Sequence, residues 1–245
     1  MGRLIRPSLL ALALLATPAR AQPLVVWAWE RPEDLRFAGQ QAEVAVQTGF
    51  IELSGERLIV RGRRFPLEAA PGQVTTTVVH VQIDPRRALV WTPEREAQVA
   101  DAVLRLGRRA GVRRLQLDFE VRASERAVLL GVLRRVRAGL PAGVTLSMTA
   151  LASWCETETW LDEAPVDEIV PMLFRMGQGG ERLKARLAAG GDFAHPGCRQ
   201  ALAISADTPL VRAPAGRRVY LFNPRSWTAA SFEQTKRRVA SWPVG

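Results

Sequence analysis

Short apolar runs rich in Val, Ile, Leu and aromatics recur along this chain, and stretches with helical 3.6-residue spacing separate most of them. The first run is LVVWAWE at 24–30. The next, EVAVQTGFIEL and then ERLIVRGRR, breaks at Ser54-Gly55, a two-residue turn that predicts a hairpin. A third, TTTVVHVQID, ends at Asp84. Val99, Val103, Leu104 and Leu106 then predict a helix from Glu94 to about Arg109, with Gly111 just past its end. The fourth strand is RRLQLDFEV, and Ser124 stands as N-cap of a helix over 125–139 with an apolar stripe of Val128, Leu129, Val132, Leu133 and Val136. After the Leu140-Pro141 break come VTLSMTAL, a short helix near 157–163, EIVPMLFRM, ALAIS at 201–205, RVYLFN at 218–223 and a last helix over 230–240.

Eight strands with helices after several of them predict an α/β fold: a single compact (β/α)8 barrel of the TIM type, with a small hairpin extension at its second strand. WERPEDL, after the first strand, contains no glycine and so lacks the phosphate-binding turn of a dinucleotide fold. In the fourth strand, alternation places Leu115, Leu117 and Phe119 on one face and Gln116, Asp118 and Glu120 on the other. The apolar set must meet the helices. The polar set then faces into the barrel, with Glu120 nearest the carboxyl end, where barrel active sites lie.

Buried carboxylates are costly unless paired or used. Two readings of the pair follow. Either Asp118 raises the pKa of Glu120 and makes it a general acid, or an inward arginine neutralises the acids.

The first residues change the picture of compartment. Arg3 and Arg6 precede an apolar run from Leu9 to Ala16, and Ala19-Arg20-Ala21 fits a signal peptidase site, so 1–21 is expected to be a cleaved leader and 22–245 an exported, periplasmic or extracellular domain. The run is too short to span a bilayer, so no integral membrane segment is expected after cleavage. Without the leader's three arginines, 31 basic residues exceed 24 acidic ones by seven. They are scattered and lack the interleaved aromatics of a nucleic-acid surface, so nucleic acid is not an expected partner, while an anionic envelope polymer is compatible. Two cysteines, Cys155 and Cys198, favour a bridge in an exported chain, but strand placement puts them at opposite rims of the barrel, and both outcomes stay open.

DFE at 118–120 resembles the end of the chitinase-type signature of glycoside hydrolase family 18, D-x-x-D-x-D-x-E. The resemblance implies that Glu120 is the general acid and Asp118 its assistant. Gln116 and Arg113 stand where the first two acids of that signature would be, and in PMLFRMG Met172 matches, while Phe174 and Arg175 replace a Tyr and an Asp. The chain as a whole more closely resembles a bacterial family catalogued as domain of unknown function 3142, through WAWERPEDL, LQLDFE, LSMTALASWC and VDEIVPMLFRMG. That resemblance implies a barrel related to glycoside hydrolases.

Strand placement brings further groups to the carboxyl rim: Glu30 and Trp29 at the first strand, His80 and Asp84 at the third, Trp154 after the fifth, Arg175 at the sixth, Asp207 after the seventh and Asn223 after the eighth. Aromatic faces beside carboxylates suit sugar rings. A glycan is the expected ligand, bound by a monomer. No short His/Cys/Asp spacing suits a metal, no cofactor motif is present, and no Gly-x-Ser-x-Gly elbow supports an esterase. The rival reading is a barrel that binds glycan, or serves as an envelope scaffold, without chemistry.

Overall fold

A computed structural model describes residues 22–208 and 212–242. The expected leader lies outside the described residues. In chain order the strands are β1 (Leu24–Ala28), β2 (Glu33–Asp34), β3 (Glu43–Ser54), β4 (Arg57–Gly62), β5 (Leu67–Glu68), β6 (Val74–Ile83), β7 (Arg114–Phe119), β8 (Thr145–Leu151), β9 (Glu168–Met172), β10 (Ala201–Ser205) and β11 (Arg218–Phe222). Eight of them, β1-β3-β6-β7-β8-β9-β10-β11, pair in parallel, and β1 closes the ring by pairing with both β3 and β11. The expected TIM-type barrel is what this sequence forms.

β4 folds back antiparallel on β3 as the expected hairpin. The turn itself is one residue later than expected. Ser54 pairs with Arg57, leaving Gly55 and Glu56 as the turn, and Gly55 takes the positive φ of 60° that the first position of a tight hairpin turn demands.

The helices are α1 (Pro93–Gly107), α2 (Arg126–Gly139), α3 (Trp154–Thr157), α4 (Gly180–Ala188) and α5 (Ala229–Ala240). Thr92 caps α1 by accepting the Arg95 amide at 3.2 Å. Ser124 does not cap α2. It lies in a 3-10 turn, Ala123–Glu125, where the Glu125 carboxylate reaches back to accept the Arg122 amide at 2.8 Å. α4 has no counterpart in the sequence reading: glycines at 177, 179, 190 and 191 flank a nine-residue segment, so it reads as loop, yet Leu183 and Leu187 bury one turn apart. The helical ring is incomplete, because 3-10 turns at 36–41 join β1 to β3 and the hairpin arm joins β3 to β6. The outer face of β3 is left with a recess of about 390 Å³ lined by Val46, Thr48, Arg63 and Leu106.

Alternation along the strands splits the core in two. Leu115, Leu117 and Phe119 join the large apolar layer between strands and helices, while Val25, Trp27, Ala45, Val78, Val170, Ala203 and Tyr220 fill the barrel. A hydrogen-bonded spine runs through this interior. Trp27 Nε1 donates to Gln116 Oε1 at 2.8 Å, Gln116 Nε2 donates to Ser147 Oγ at 3.1 Å, and Ser147 Oγ donates to Glu168 Oε2 at 2.8 Å. Glu168, at the amino-terminal base, also accepts from Tyr220 Oη at 2.7 Å and Arg218 at 2.6 Å, with Arg114 Nε 3.3 Å away. Burial, and then the Glu168 charge, push the Tyr220 hydroxyl's pKa well up.

Cys155 and Cys198 form a disulfide, with Cα atoms 6.0 Å apart. Opposite-rim placement fails because neither connecting segment stays at its rim. α3 starts three residues after β8 and turns into the outer apolar layer. The segment before β10 crosses to meet it, with the His195 amide bonded to the Cys155 carbonyl at 2.9 Å.

Candidate functional site

At the carboxyl end of the barrel, neighbouring strands are in register across one row: Arg61 of β4 faces Phe50 of β3, Phe50 faces His80 of β6, and His80 faces Asp118 of β7. A bulge makes this row. Between Gln47 and Gly49 the β3 register slips by one residue, so Phe50, rather than Gly49, lies level with His80. Phe50 stacks on the His80 ring at 5.4 Å and 18°, and the Arg61 guanidinium lies 4.4 Å from the Phe50 ring centre.

Asp118 is 4% exposed and fully partnered. His80 Nδ1 lies 2.6 Å from its Oδ2, and Thr149 Oγ1 donates to its Oδ1 at 2.6 Å. Burial opposes the Asp118 charge, but the hydrogen bond and charge of His80, the Thr149 hydroxyl and the Arg175 charge prevail and hold its pKa below the ordinary 3.8. Burial likewise opposes the His80 charge, and the Asp118 bond and charge, aided by Glu120 and Gln82, outweigh it and raise the pKa above 6.5. Besides Asp118, the Gln82 side chain hydrogen-bonds to the His80 ring, and the His80 side chain is 26% exposed.

Glu120, one residue beyond β7, has a different partner. Arg175 grips both of its oxygens, Nε to Oε1 at 3.1 Å and Nη2 to Oε2 at 2.5 Å. Asp118 is therefore not the partner of Glu120 that the sequence suggested. Each acid has its own cation, because alternation puts Asp118 one pleat deeper, level with His80, while Glu120 stands at the rim where the segment after β9 passes.

Beside these pairs lies an aromatic floor. Phe174 and Phe222 stack at 4.9 Å and 14°, Trp29 meets Phe222 edge-on at 5.8 Å and His80 at 6.1 Å, and Trp27 closes the layer beneath. Trp29, Phe50, Phe174 and Phe222 are all half-buried.

Of the ten residues expected at the rim, the barrel brings Glu120, Asp118, His80, Arg175 and Trp29 together. The others serve elsewhere. Glu30 accepts the Arg64 amide at 3.0 Å and holds the end of the hairpin arm. Asp84 accepts from Ser54 at 2.8 Å and from the Arg86 amide at 3.0 Å, which fixes the turn after β6. Trp154 is buried in the outer layer, packed at 5.1 Å against Trp160, because α3 turns outward directly after β8. Asp207 bonds Ser205 and Thr208 within its own exposed turn. Asn223 is buried and accepts the Arg225 amide at 3.0 Å.

Thr149, Phe50 and Phe222 were missed. Alternation from Tyr220 and Leu151 could have found Phe222 and Thr149, but the bulge hides Phe50. Neither models of known protein families nor curated protein sequences match this chain.

Proposed function

We propose that this is an exported, glycoside-hydrolase-like barrel that acts on an envelope or environmental polysaccharide at its carboxyl mouth, with Glu120 as the reacting carboxylate. The observation that carries the reading is the half-buried aromatic floor of Trp29, Phe174 and Phe222 beside the Glu120–Arg175 pair. Such a floor stacks the C–H face of a sugar, while charged donors and acceptors beside it take the hydroxyls. The Cys155–Cys198 bridge fits an oxidising compartment.

Because Arg175 occupies both oxygens of Glu120, the pair suits an ionised carboxylate, a base or nucleophile, better than the proton donor expected from the signature. The same clamp favours a second reading, glycan binding without turnover.

Both are tested by incubating the purified protein with a panel of bacterial exopolysaccharides and peptidoglycan, following new reducing ends and binding in parallel. Turnover that Glu120→Gln abolishes, with unchanged thermal unfolding, supports the hydrolase. Binding without turnover, weakened roughly tenfold by Phe222→Ala, equivalent to about 1.4 kcal/mol, supports the second reading. Neither binding nor turnover on the whole panel overturns both.

A further inference from the structure

We infer that His80 is the general acid of this mouth, donating the Nε2 proton to the oxygen of the scissile glycosidic bond while Glu120 acts as the base. The inference rests on the hydrolase reading and exchanges the roles that the signature suggests.

Geometry carries it. The imidazole has one nitrogen fixed and one turned away from that tie: Nδ1 is held by a carboxylate that is itself held by Thr149, and the only other side chain that hydrogen-bonds to the ring among the described residues is the neutral Gln82 amide. Phe50 stacked on one side and Trp29 edge-on at 6.1 Å hold the ring plane. An orienting carboxylate, a ring locked by packing and a second nitrogen that no charged group occupies are the elements of a histidine that transfers protons. Glu120 has no comparable freedom, since Arg175 takes both oxygens. Asp118 faces His80 across the parallel β6–β7 register, and Glu120 lies two residues further along the same side of the chain, at the rim.

In the step, the His80 Nε2–H bond breaks and its proton goes to the glycosidic oxygen, which takes the electron pair of the breaking C–O bond. Glu120 takes a proton from a water whose oxygen bonds to the anomeric carbon. The products are two sugar hydroxyls, a neutral imidazole and a protonated Glu120, and proton exchange with solvent resets the pair. The anomeric configuration inverts.

The charged and polar groups around His80 set the pH at which it works. Asp118 and Glu120 face it from β7, Gln82 follows it on β6 and is bonded to Glu52 of β3 at 3.2 Å, Arg61 of β4 lies across Phe50, and Arg175 acts on Asp118. The acids outweigh burial, so the donor form survives to higher pH than in a free imidazole.

The test is the pH profile and leaving-group dependence of His80→Gln on the polysaccharide that the wild type cleaves and on aryl glycosides of its terminal sugar. A nitrophenolate leaves without protonation, so the variant is expected to lose at least a hundredfold on the polysaccharide, to keep activity within about tenfold on the activated glycoside, and to lose the alkaline limb of the profile. Asp118→Asn is expected to move that limb to lower pH. Equal losses on both substrates, or an alkaline limb unchanged in both variants, would overturn the assignment. A wild type that cleaves nothing overturns the hydrolase reading and this step together, whereas cleavage that His80→Gln leaves intact overturns this step alone.

Discussion

Asp118 keeps its charge in the barrel interior because two donors on neighbouring strands reach it, His80 from β6 and Thr149 from β8. The sign of the resulting pH dependence follows from the two pKa directions. His80 titrates above 6.5 in the folded chain, so its contribution to stability is fully present below that pH and is lost as the pH rises through the folded value. Asp118 titrates below 3.8, so its contribution is present above that pH and is lost as the pH falls through the folded value. The pair therefore stabilises most between these limits. Asp118→Asn leaves a protonated His80 without its counter-charge and is expected to destabilise the protein by about 2 kcal/mol near pH 5.5 and by less near pH 8.5. Urea unfolding at both pH values measures this, and equal losses would show that no ion pair is present. Asp118 and Glu120 were legible as inward acids from alternation alone. Their partners were not, because the choice between His80 and Arg175 depends on which pleat each acid occupies relative to strands distant in sequence.

At the level of elements, α1 and α2 pack so closely that Gly131 of α2 leaves space for the Glu96 carboxylate of α1: a Cβ there would lie 2.0 Å from Glu96 Oε2. Glu96 in turn bonds Arg135 at 2.6 Å. Gly131→Ala gains helix propensity of about 1 kcal/mol, which offsets much of the displacement of Glu96, and is expected to be nearly neutral. Gly131→Leu must separate the helices and is expected to cost about 2 kcal/mol, read as a lower Tm. A neutral Gly131→Leu would show that the seam is loose. Elements with long apolar periodicity, the eight barrel strands with α1, α2 and α5, were legible to within a residue or two at most ends. Those set by one backbone detail were not: α4 between glycines, the Ser124 turn, and the β3 bulge that carries Phe50 into the mouth.

For the whole molecule, the Cys155–Cys198 bridge ties the β8–β9 connection to the segment entering β10 across 43 residues. In the chain-entropy view, closing a loop of that length stabilises by about 4 kcal/mol. Both cysteines are fully buried, so reductant is expected to act only after unfolding, and the Cys155→Ala, Cys198→Ala double variant to melt well below the oxidised wild type in calorimetry. A variant that melts with the wild type would mean the bridge adds nothing. The interior spine adds a property of its own. Trp27, Gln116 and Ser147 each donate one step nearer the base and end on Glu168, so a donor-only indole at one end and a carboxylate among arginines at the other together set the direction of every bond between the base and the floor of the mouth. The barrel thus has a polarity along its axis. The turn of the Gln116 amide is fixed from both sides, by the indole above that can only donate to its oxygen and by the hydroxyl below, whose own proton is drawn to the base.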